Sequence, residues 1–428
     1  MVKIPNAWLQ RKWLEVAKDL PSVLERESLT IMSYNILCQT LIKRTRYPYA
    51  SKGSLKWKTR KNTLLNELEH WRADIVCLQE MGISHWNEDF DSFFKKSGYK
   101  SRFFFNIFKS HGVTVSWKSS VFHVVDELNI PMDGSAEVCG ESLGTQNVAL
   151  IVVLRRGPET GSATAQSTEQ SSGSRTGLID KAPGVIVSNT HLYWVPGGCY
   201  ERLQQQIVLL RGIKSMQEKY PDFAVVSCGD FNTTPDDAGY DLLTKMRPVT
   251  LNEWQQDNLL PRTLEDEDED DNDDPKSKDS KSASTNNELR PRSYAAIAAS
   301  PYDEESARVK RIKLEEQERK LEEQMKVDAE RVQNLVSTIQ RDYTPLRSCY
   351  GTYADLDSTY LTEQWQGEPI FTNYTDWKGT LDYIFFVPDS GIYLREVLSL
   401  PEEKHLKPGL PNDTFPSDHV SLVARFDF

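Results

Sequence analysis

The sequence predicts an α/β protein in which β-sheets pack on one another and are flanked by helices. Six apolar runs rich in β-branched and aromatic residues indicate buried strands. Apolar residues at helical spacing lie between these runs, and polar residues stand where the runs end. The six runs cover residues 29–37, 74–80, 184–192, 223–232, 381–387 and 419–428.

Two helices and three shorter strands complete the expected body. Leu64, Leu65 and Leu68 repeat at helical spacing within residues 57–71, with basic residues on the opposite face. Residues 200–220 follow the same pattern and predict a second helix. Short apolar runs add strands at residues 103–105, 113–117 and 148–154.

The first residues of the chain predict a helical extension over residues 1–27 that docks on the body. Five large apolar side chains recur there in helical rhythm, and acidic residues argue against a mitochondrial presequence. The five are Trp8, Leu9, Trp13, Leu14 and Val16.

Two segments interrupt an expected single domain over residues 28–254 and 346–428. Residues 157–182 are rich in glycine, serine and threonine and predict a flexible loop. Residues 255–345 form an acidic and charged insertion, which we expect to be partly disordered and to contain a charged helix. Because strand-like segments with polar ends flank this insertion on both sides, it interrupts one domain and does not separate two.

Cysteine usage and hydropathy indicate the cellular compartment of the protein. The six cysteines are scattered, with no CxxC pair, which fits a reducing compartment and argues against structural zinc. No apolar run reaches eighteen residues, so no membrane span is predicted. We therefore expect a protein of the cytoplasm, the nucleus or both, with the mitochondrion left open.

Charge is distributed unevenly along the chain. The net charge is −12, but residues 265–274 alone hold nine acidic groups. The rest of the chain therefore carries a net charge of −3. Residues 43–61 hold eight basic side chains and no acidic one, interleaved with Tyr47, Tyr49 and Trp57. Local fields attract a polyanion, so this segment is either a nucleic-acid contact or a solvated loop and helix face. Charge alone favours neither.

Polar residues mark the ends of the predicted strands. One such residue is most often a turn or helix cap. Eight together, each in a specific short context, indicate groups that converge on one pocket where sheets meet. The eight are Asn35, Glu80, His191, Asp230, Asn232, Asp382, Asp418 and His419.

Six short motifs carry a family resemblance in their order along the chain. They are SYNIL (33–37), CLQEM (77–81), SNTHLYWVP (188–196), GDFNTTP (229–235), KGTLDYIF (378–385) and PSDH (416–419). Together they resemble the endonuclease/exonuclease/phosphatase superfamily. They are most similar to its deadenylase branch, which includes nocturnin, the Angel proteins, carbon-catabolite-repression deadenylases and fungal RNA-processing exonucleases.

The resemblance implies a four-layer, DNase I-like α/β sandwich of two packed mixed β-sheets with helices outside. It also implies roles for the polar residues. Glu80 resembles the principal magnesium ligand, with Asn35 beside it. Asp230 resembles the group that binds or activates the attacking water, and Asn232 orients that group.

The remaining roles follow from the same resemblance. His191 resembles a donor to the phosphate oxygens, and Asp382 pairs with a histidine. His419 resembles a phosphate contact or second-metal neighbour, with Asp418 beside it. Carboxylate and amide oxygens suit Mg²⁺, so one or two ions are expected, with Mn²⁺ as a substitute.

Substrate recognition is expected at the rim of the pocket. Matching positions in the deadenylase branch sandwich a base, commonly adenine, and here they are Pro196 and Trp377; Trp377 as a packing residue is the alternative. Arg46, Lys58 and Arg60 from the basic segment are expected to contact RNA. The sequence departs from the branch by lacking a leucine-rich-repeat region ahead of the domain, so we expect a monomer without that docking region.

Three functional hypotheses follow. The first is a Mg²⁺-dependent 3′–5′ exoribonuclease that removes poly(A) or trims RNA 3′ ends. The second is a phosphatase acting on a small nucleotide such as NADP. The third is a non-catalytic RNA-binding module, which the intact set of eight polar groups argues against.

Overall fold

The computed structural model describes residues 5–16, 27–133, 143–157, 183–261, 304–360 and 365–428. The acidic run and nearly all of the predicted loop at 157–182 lie outside these residues. The chain divides into two compact units, one of residues 1–259 with 335–428 and one of residues 260–334. The expected strands and helices of the body all belong to the first unit.

The first sheet has seven strands in the order β1-β14-β15-β2-β3-β5-β4. Its strands are β1 (Trp13–Glu15), β2 (Ser28–Asn35), β3 (Ile75–Gly82), β4 (Tyr99–Phe105), β5 (His111–Lys118), β14 (Tyr393–Leu398) and β15 (Leu422–Asp427). β2 and β3 run parallel, and the other neighbours run antiparallel. The sheet is therefore mixed, with its parallel pair near the middle.

The second sheet has six strands in the order β10-β13-β9-β8-β7-β6. Its strands are β6 (Phe122–Pro131), β7 (Val148–Arg156), β8 (Gly184–His191), β9 (Ala224–Asp230), β10 (Arg347–Ser348) and β13 (Asp382–Phe386). β8 and β9 are the parallel pair. A small hairpin of β11 (Asn373–Tyr374) and β12 (Lys378–Gly379) lies outside both sheets.

The two sheets bury one apolar core between them. Alternate residues of the central strands, such as Ile31, Cys77 and Val115 on the first sheet and Val187 and Val226 on the second, belong to one buried cluster. Side chains alternate between the faces of a strand, so the intervening residues point outward and meet the flanking helices. This arrangement confirms the predicted sandwich of two mixed sheets.

Helices cover the outer faces. α2 packs Leu64 and Leu68 into a second cluster with Met32 and Val76 of the first sheet. On the second sheet, a Cβ at Gly212 would lie 2.5 Å from the Ile130 side chain, so α5 lies directly on that sheet. The helices are α1 (Asn6–Leu9), α2 (Trp57–Trp71), α3 (Ile83–His85), α4 (Asp91–Lys96), α5 (Cys199–Lys219), α6 (Ala238–Thr244), α7 (Glu253–Asn258), α8 (Glu304–Asp342) and α9 (Tyr353–Leu356).

Short turns of helix connect several elements. A π-helical segment joins α3 to α4 and buries two of its aromatic residues. The π segment spans Trp86–Phe90, and 3₁₀ turns span Gln39–Leu41, Ser358–Tyr360 and Glu403–His405. In the part of the chain that the structure describes, no helix has both the length and the apolarity needed to cross a bilayer.

The two parallel pairs bring the polar strand ends together. β2 and β3 end at Asn35 and just beyond Glu80, and β8 and β9 end at His191 and Asp230. Because β13 runs antiparallel to β9, its first residue, Asp382, pairs in register with Asp230. The same rim of the sandwich therefore carries polar ends from both sheets.

The N-terminal segment differs from the predicted helix. Of its described residues, 5–16 and 27, only Asn6–Leu9 is helical, and Trp13–Glu15 forms β1, which pairs with β14 at the edge of the first sheet. Buried Arg11 holds the turn between them by donating to the Ser399 carbonyl at 2.7 Å. An edge strand offers unpaired backbone groups, and satisfying these outweighs a short helical rhythm.

The second compact unit, residues 260–334, lies within the insertion predicted at residues 255–345. α7 begins at a capping box in which Asn252 and Gln255 bond each other's backbone. Near the end of α8, the Gln340 side chain accepts from the Val249 backbone at 2.9 Å and donates to it at 3.2 Å. These contacts tie the two flanks of the insertion together.

Arg60 is a structural residue and not the RNA contact expected from the sequence. It is 1% exposed, and its guanidinium donates to the carbonyls of Pro416, Ile36 and Leu37 at 2.6 Å each. These bonds join α2 to the segments that follow β2 and precede β15. The basic pattern suggested a surface residue, but α2 turns this position towards the carbonyl groups of two loops.

We expect Arg60→Ala to lower the free energy of unfolding by about 3 kcal/mol, because it strands buried carbonyl groups without donors. Exposed Lys58 two residues away is the matched control, and Lys58→Ala should change stability by less than about 0.5 kcal/mol. Urea unfolding midpoints measure both. Equal midpoints for the two variants would contradict the structural role of Arg60.

A second prediction concerns the buried carboxyl of Glu368. Burial raises its pKa from 4.5 to about 7, and its Oε1 accepts from the Tyr240 hydroxyl at 2.8 Å. The folded protein therefore holds a proton that the unfolded chain releases between those pH values, so stability falls as pH rises through this window. Glu368→Gln removes that cost.

The variant should therefore be more stable than the wild type at pH 8, by up to about 3 kcal/mol. The difference should vanish well below pH 4.5, where both the folded and the unfolded states of the wild type are protonated at Glu368. Thermal melting across this pH range tests the expectation. A constant difference between the two proteins at every pH would contradict it.

Candidate active site

Asn35 joins carboxylates from the two sheets. Its side-chain nitrogen donates to Glu80 Oε1 at 3.1 Å and to Asp230 Oδ2 at 2.9 Å, while its Oδ1 accepts from the Leu37 N–H at 3.0 Å. Asn35 is fully buried. With its oxygen taken by the backbone, Asn35 presents nitrogen to the carboxylates and bridges them. The metal-ligand role expected for Asn35 stays a prediction.

Glu80 is aimed into the cleft by a break in β3. The pairing with β5 shifts register between Leu78 and Met81, and Glu80 has a positive φ of 56°. Its Oε2 accepts from the Cys38 N–H at 2.7 Å. Burial acts to raise the pKa of this carboxyl, but His191, His111 and the Cys38 and Asn35 hydrogen bonds outweigh it and hold that pKa below its usual value. Glu80 is therefore ionised at neutral pH.

Asp230 lies at the centre of the cleft. Its Oδ1 accepts from the Asn232 N–H at 3.0 Å, and its Oδ2 lies 3.6 Å from His191 Nε2 and 3.7 Å from His419 Nε2. Asn232 has a φ of 47°, and its side-chain Nδ2 donates to the Leu192 carbonyl at 3.0 Å. Asn232 thus fixes one oxygen of Asp230 and leaves the other facing the two imidazoles.

The glycine before Asp230 allows this placement. Gly229 has a φ of 155°, and a Cβ there would lie 2.4 Å from the Thr190 carbonyl of the neighbouring strand. No side chain fits so close to backbone. The close contact of β8 and β9 at this point brings Asp230 next to His191.

Asp382 and His419 form a buried ion pair. His419 Nδ1 lies 2.7 Å from Asp382 Oδ2, which also accepts from the Thr372 hydroxyl at 2.6 Å. Burial acts to lower the pKa of His419, but Asp382, Asp230 and Asp418 raise it well above its usual value. Burial in turn raises the pKa of Asp382. The pair therefore holds one proton tightly.

Asp418 faces a tyrosine from the basic segment. Its Oδ2 accepts from the Tyr47 hydroxyl at 2.8 Å, and the neighbouring Ser417 hydroxyl donates to the Asn35 carbonyl at 2.6 Å. Burial raises the pKa of Asp418. From sequence, Tyr47 was only one of several aromatic residues among basic ones. Its aromatic type in that segment was the one signal of its role.

His111 and Lys109 were also missed from sequence. They line a pocket that His191, Gln146 and Asn147 complete. Burial lowers the pKa of His111 to about 4, and its Nδ1 has no hydrogen-bond partner among the described residues. His111 begins β5, which pairs antiparallel with β3, so it lies at the same rim as Glu80. His111 lies at the start of a strand, so a search for polar residues at the starts of strands as well as at their ends would have found it.

The donor chemistry fits a divalent cation. Four buried carboxylates, Glu80, Asp230, Asp382 and Asp418, surround the cleft, and among the described residues none makes an ion pair with lysine or arginine. Ligand atoms of Asp230, Asp382 and His419 lie within 4.8 Å of one another. His419 belongs to this group, and its role as a metal ligand or phosphate contact stays a prediction. Glu80, the expected principal ligand, borders the same cleft, and carboxylate oxygens suit Mg²⁺.

The expected substrate-binding residues lie on the rim. Pro196 is exposed, and Trp377 is 48% exposed in the β11–β12 hairpin, whose Asn373 bridges to His419. The indole packs over Gly379, where a Cβ would approach the ring to 2.2 Å. Arg46 is exposed. The pairing of Pro196 with Trp377 around a base stays a prediction.

All eight polar residues predicted from the strand ends belong to one connected network. Asn35 links Glu80 to Asp230, and Asp230 links Asn232, His191 and His419. Asp382 bonds His419, and Asp418 precedes it in the chain. Of the basic residues, Arg46 and Lys58 remain at the surface and Arg60 does not.

Comparison with known proteins finds a matching family and relatives over most of the chain. The Endonuclease/Exonuclease/phosphatase family matches residues 32–419. A probable RNA exonuclease of Schizosaccharomyces pombe is 29% identical over 98% of this chain and 80% of its own length. The RNA exonuclease NGL2 of Saccharomyces cerevisiae is 26% identical over 96% of this chain and 81% of its own length.

Two solved structures share the fold. Crystal structures of ANGEL2, a 2′,3′-cyclic phosphatase, and of the human nocturnin catalytic domain superpose with TM-scores of 0.60 and 0.53. They are 20% and 19% identical, cover 97% and 99% of this chain, and are themselves covered over 98% and 99%. The match over most of the sequence, together with the network at the rim of the two sheets, shows that the chain belongs to the endonuclease/exonuclease/phosphatase family.

Proposed function

We propose that the protein is a Mg²⁺-dependent 3′–5′ exoribonuclease that shortens poly(A) or trims RNA 3′ ends. The observation that carries the proposal is the network in which Asn35 joins Glu80 and Asp230 beside two imidazoles. Relatives named as RNA exonucleases, aligned over nearly the whole chain, support RNA as the substrate.

The residues around Asp230 prepare a water molecule for attack. A divalent cation at Glu80 and Asp230 would neutralise the phosphodiester and lower the pKa of bound water. Asp230 Oδ1 is fixed by the Asn232 N–H and Oδ2 by the Asn35 amide, and Oδ2 also faces the two imidazoles, so it is the oxygen placed to orient that water or accept its proton. Asn35 holds the Glu80 and Asp230 carboxylates at a fixed separation. The geometry is thus set before substrate arrives.

His419 and His191 stabilise the charge that develops on phosphate. His419 carries a proton on a ring held by Asp382, and its Nε2 points towards Asp230 and the cleft. A protonated imidazole donates strongly to an oxygen whose negative charge grows in the transition state. His191 faces the same space from β8. Neither residue forms a covalent intermediate.

The rim supplies contacts for the RNA. Pro196 and Trp377 present apolar faces suited to one base, and stacking tolerates any base. Arg46 and Lys58 bring positive charge to the phosphates. Recognition of this kind favours a single-stranded end, which agrees with an exonuclease.

A second candidate is a nucleotide phosphatase of the NADP type. The pocket beside His191 favours it, because the pocket is lined by the Lys109 ammonium and the His111 imidazole. These groups suit an additional phosphate of a small substrate. The same cleft chemistry would then release phosphate and leave RNA intact.

One assay separates the candidates. The purified protein is incubated with 5′-labelled A-rich or mixed-sequence RNA, or with NADP, in the presence of Mg²⁺ or EDTA. A ladder of shortened RNA that EDTA abolishes supports the exoribonuclease. Phosphate release from NADP with intact RNA supports the phosphatase, and tight RNA binding without either product supports a non-catalytic module.

We expect Glu80→Ala to lower kcat by at least on the order of 10²-fold, because it removes a carboxylate placed to hold the metal. Its melting temperature should stay close to that of the wild type, since the change also relieves repulsion among buried carboxylates. Exposed Glu218 on α5 offers the control variant Glu218→Ala, which should keep full activity. Wild-type turnover by Glu80→Ala would refute the metal assignment.

Asp382→Asn should lower kcat and change its pH dependence. Asp382 raises the pKa of His419, so the amide lets His419 lose its proton at lower pH. The activity of the variant should therefore decline at lower pH than that of the wild type, with the largest deficit on the alkaline side. Rate profiles between pH 6 and 9 measure the shift. Parallel profiles would show that Asp382 does not act through His419.

A further inference from the structure

Trp194, which the proposed function does not use, forms an exposed pair with Arg46 beside the cleft. The Arg46 guanidinium carbon lies 5.6 Å from the centre of the Trp194 ring. Trp194 follows His191 at the end of β8, in the second sheet, and Arg46 lies in the segment after β2, in the first. The pair therefore connects loops from the two sheets next to the catalytic groups.

The loop that carries Trp194 is braced from below. Arg202 on α5 is 3% exposed and donates to the carbonyls of Tyr193, Val195 and Pro196 at 3.3, 2.7 and 3.1 Å. Its charge is balanced by Asp237 at 3.5 Å. A buried guanidinium that binds three carbonyl groups of one loop fixes the backbone of that loop before any ligand binds.

The side chains of this loop alternate between the interior and the surface. Tyr193 packs on Gly198, where a Cβ would lie 2.5 Å from the ring. Trp194 and Pro196 point outward, and Trp194 is 58% exposed. The exposed indole on this braced loop offers a flat face on which a base can stack.

The opposite loop is braced as well. Tyr47 donates to Asp418 at 2.8 Å and Tyr49 donates to the Leu410 carbonyl at 2.5 Å. Arg44 donates to the carbonyls of Ala50 and Pro48. Arg46 stands between these anchored residues and is itself exposed. A single exposed cation–π contact contributes little stabilising energy by itself. The position of Arg46 near Trp194 therefore depends on the loop that carries it.

We propose that Trp194 and Arg46 form a second nucleotide subsite, one step outside the base position at Pro196. A base stacks on the indole face that Arg46 leaves open, and the guanidinium contacts the adjoining phosphate. The ligand class is a single-stranded oligonucleotide longer than two residues. This inference rests on the proposed function, since it extends the RNA path from that cleft.

Kinetics on RNA of two lengths test the subsite. With an eight-residue oligo(A) and Mg²⁺, Trp194→Ala should raise KM on the order of 5- to 100-fold with kcat unchanged. Trp194→Phe should recover most of the loss, because a smaller ring still stacks. In the dinucleotide ApA one residue fills the base position at Pro196 and the other lies across the scissile phosphate from it, so neither residue reaches the Trp194 position and the turnover of ApA should not change.

Trp254→Ala is the matched control. Trp254 is 56% exposed on α7, and its backbone carbonyl accepts from Asn258 of the same helix. This variant should behave as the wild type with both substrates. If Trp194→Ala matches Trp254→Ala on the eight-residue substrate, the subsite does not exist, while RNA shortening by the wild type would leave the proposed function intact.

A binding measurement separates the two proposals further. The inactive Glu80→Ala protein is titrated with oligo(A) carrying 2-aminopurine at successive positions. Fluorescence should be quenched at one internal position, and adding Trp194→Ala should relieve that quench alone. Absence of any quench that depends on Trp194 would overturn the subsite, whether or not the wild type cuts RNA.

Discussion

The buried amide of Asn35 is the interaction on which the cleft depends. It donates to a carboxylate from each sheet, Glu80 from the first and Asp230 from the second. Without such a donor, carboxylates from the two sheets would face one another with no group between them to offset their mutual repulsion. The sandwich can close at this rim because a neutral group sits between the charges.

Hydrogen-bond donors also offset the charges of the other acidic groups in the cleft. Asp382 is offset by His419 and Thr372, Asp418 by Tyr47, and Glu80 by the Cys38 N–H. Each donor comes from a different stretch of the chain. Burial strengthens all of these interactions and also makes any uncompensated charge costly. The cleft is thus specified by matched donors and acceptors more than by apolar packing.

Much of this could be predicted from the sequence, because apolar runs with polar ends report directly on strands and on the rim where they end. Asn35, Glu80, His191 and Asp230 were found in that way. The hydrogen bonds of Asn35 and His419 are not encoded in sequence spacing, and their ligand roles stay predictions. Arg60 and the strand at Trp13–Glu15 were misassigned because tertiary partners overrode charge and periodicity. Tyr47 acts through a contact 371 residues away in sequence.

The reciprocal bonds between Val249 and Gln340 have a consequence for how the family can diversify. They join the two chain ends from which the insertion departs, so the intervening segment begins and ends at neighbouring points. Closing a longer excursion between fixed ends costs little extra conformational entropy. Evolution could lengthen, recharge or replace that segment while the folded body keeps its stability. New binding partners could then be acquired at this point without any change to the chemistry at the rim.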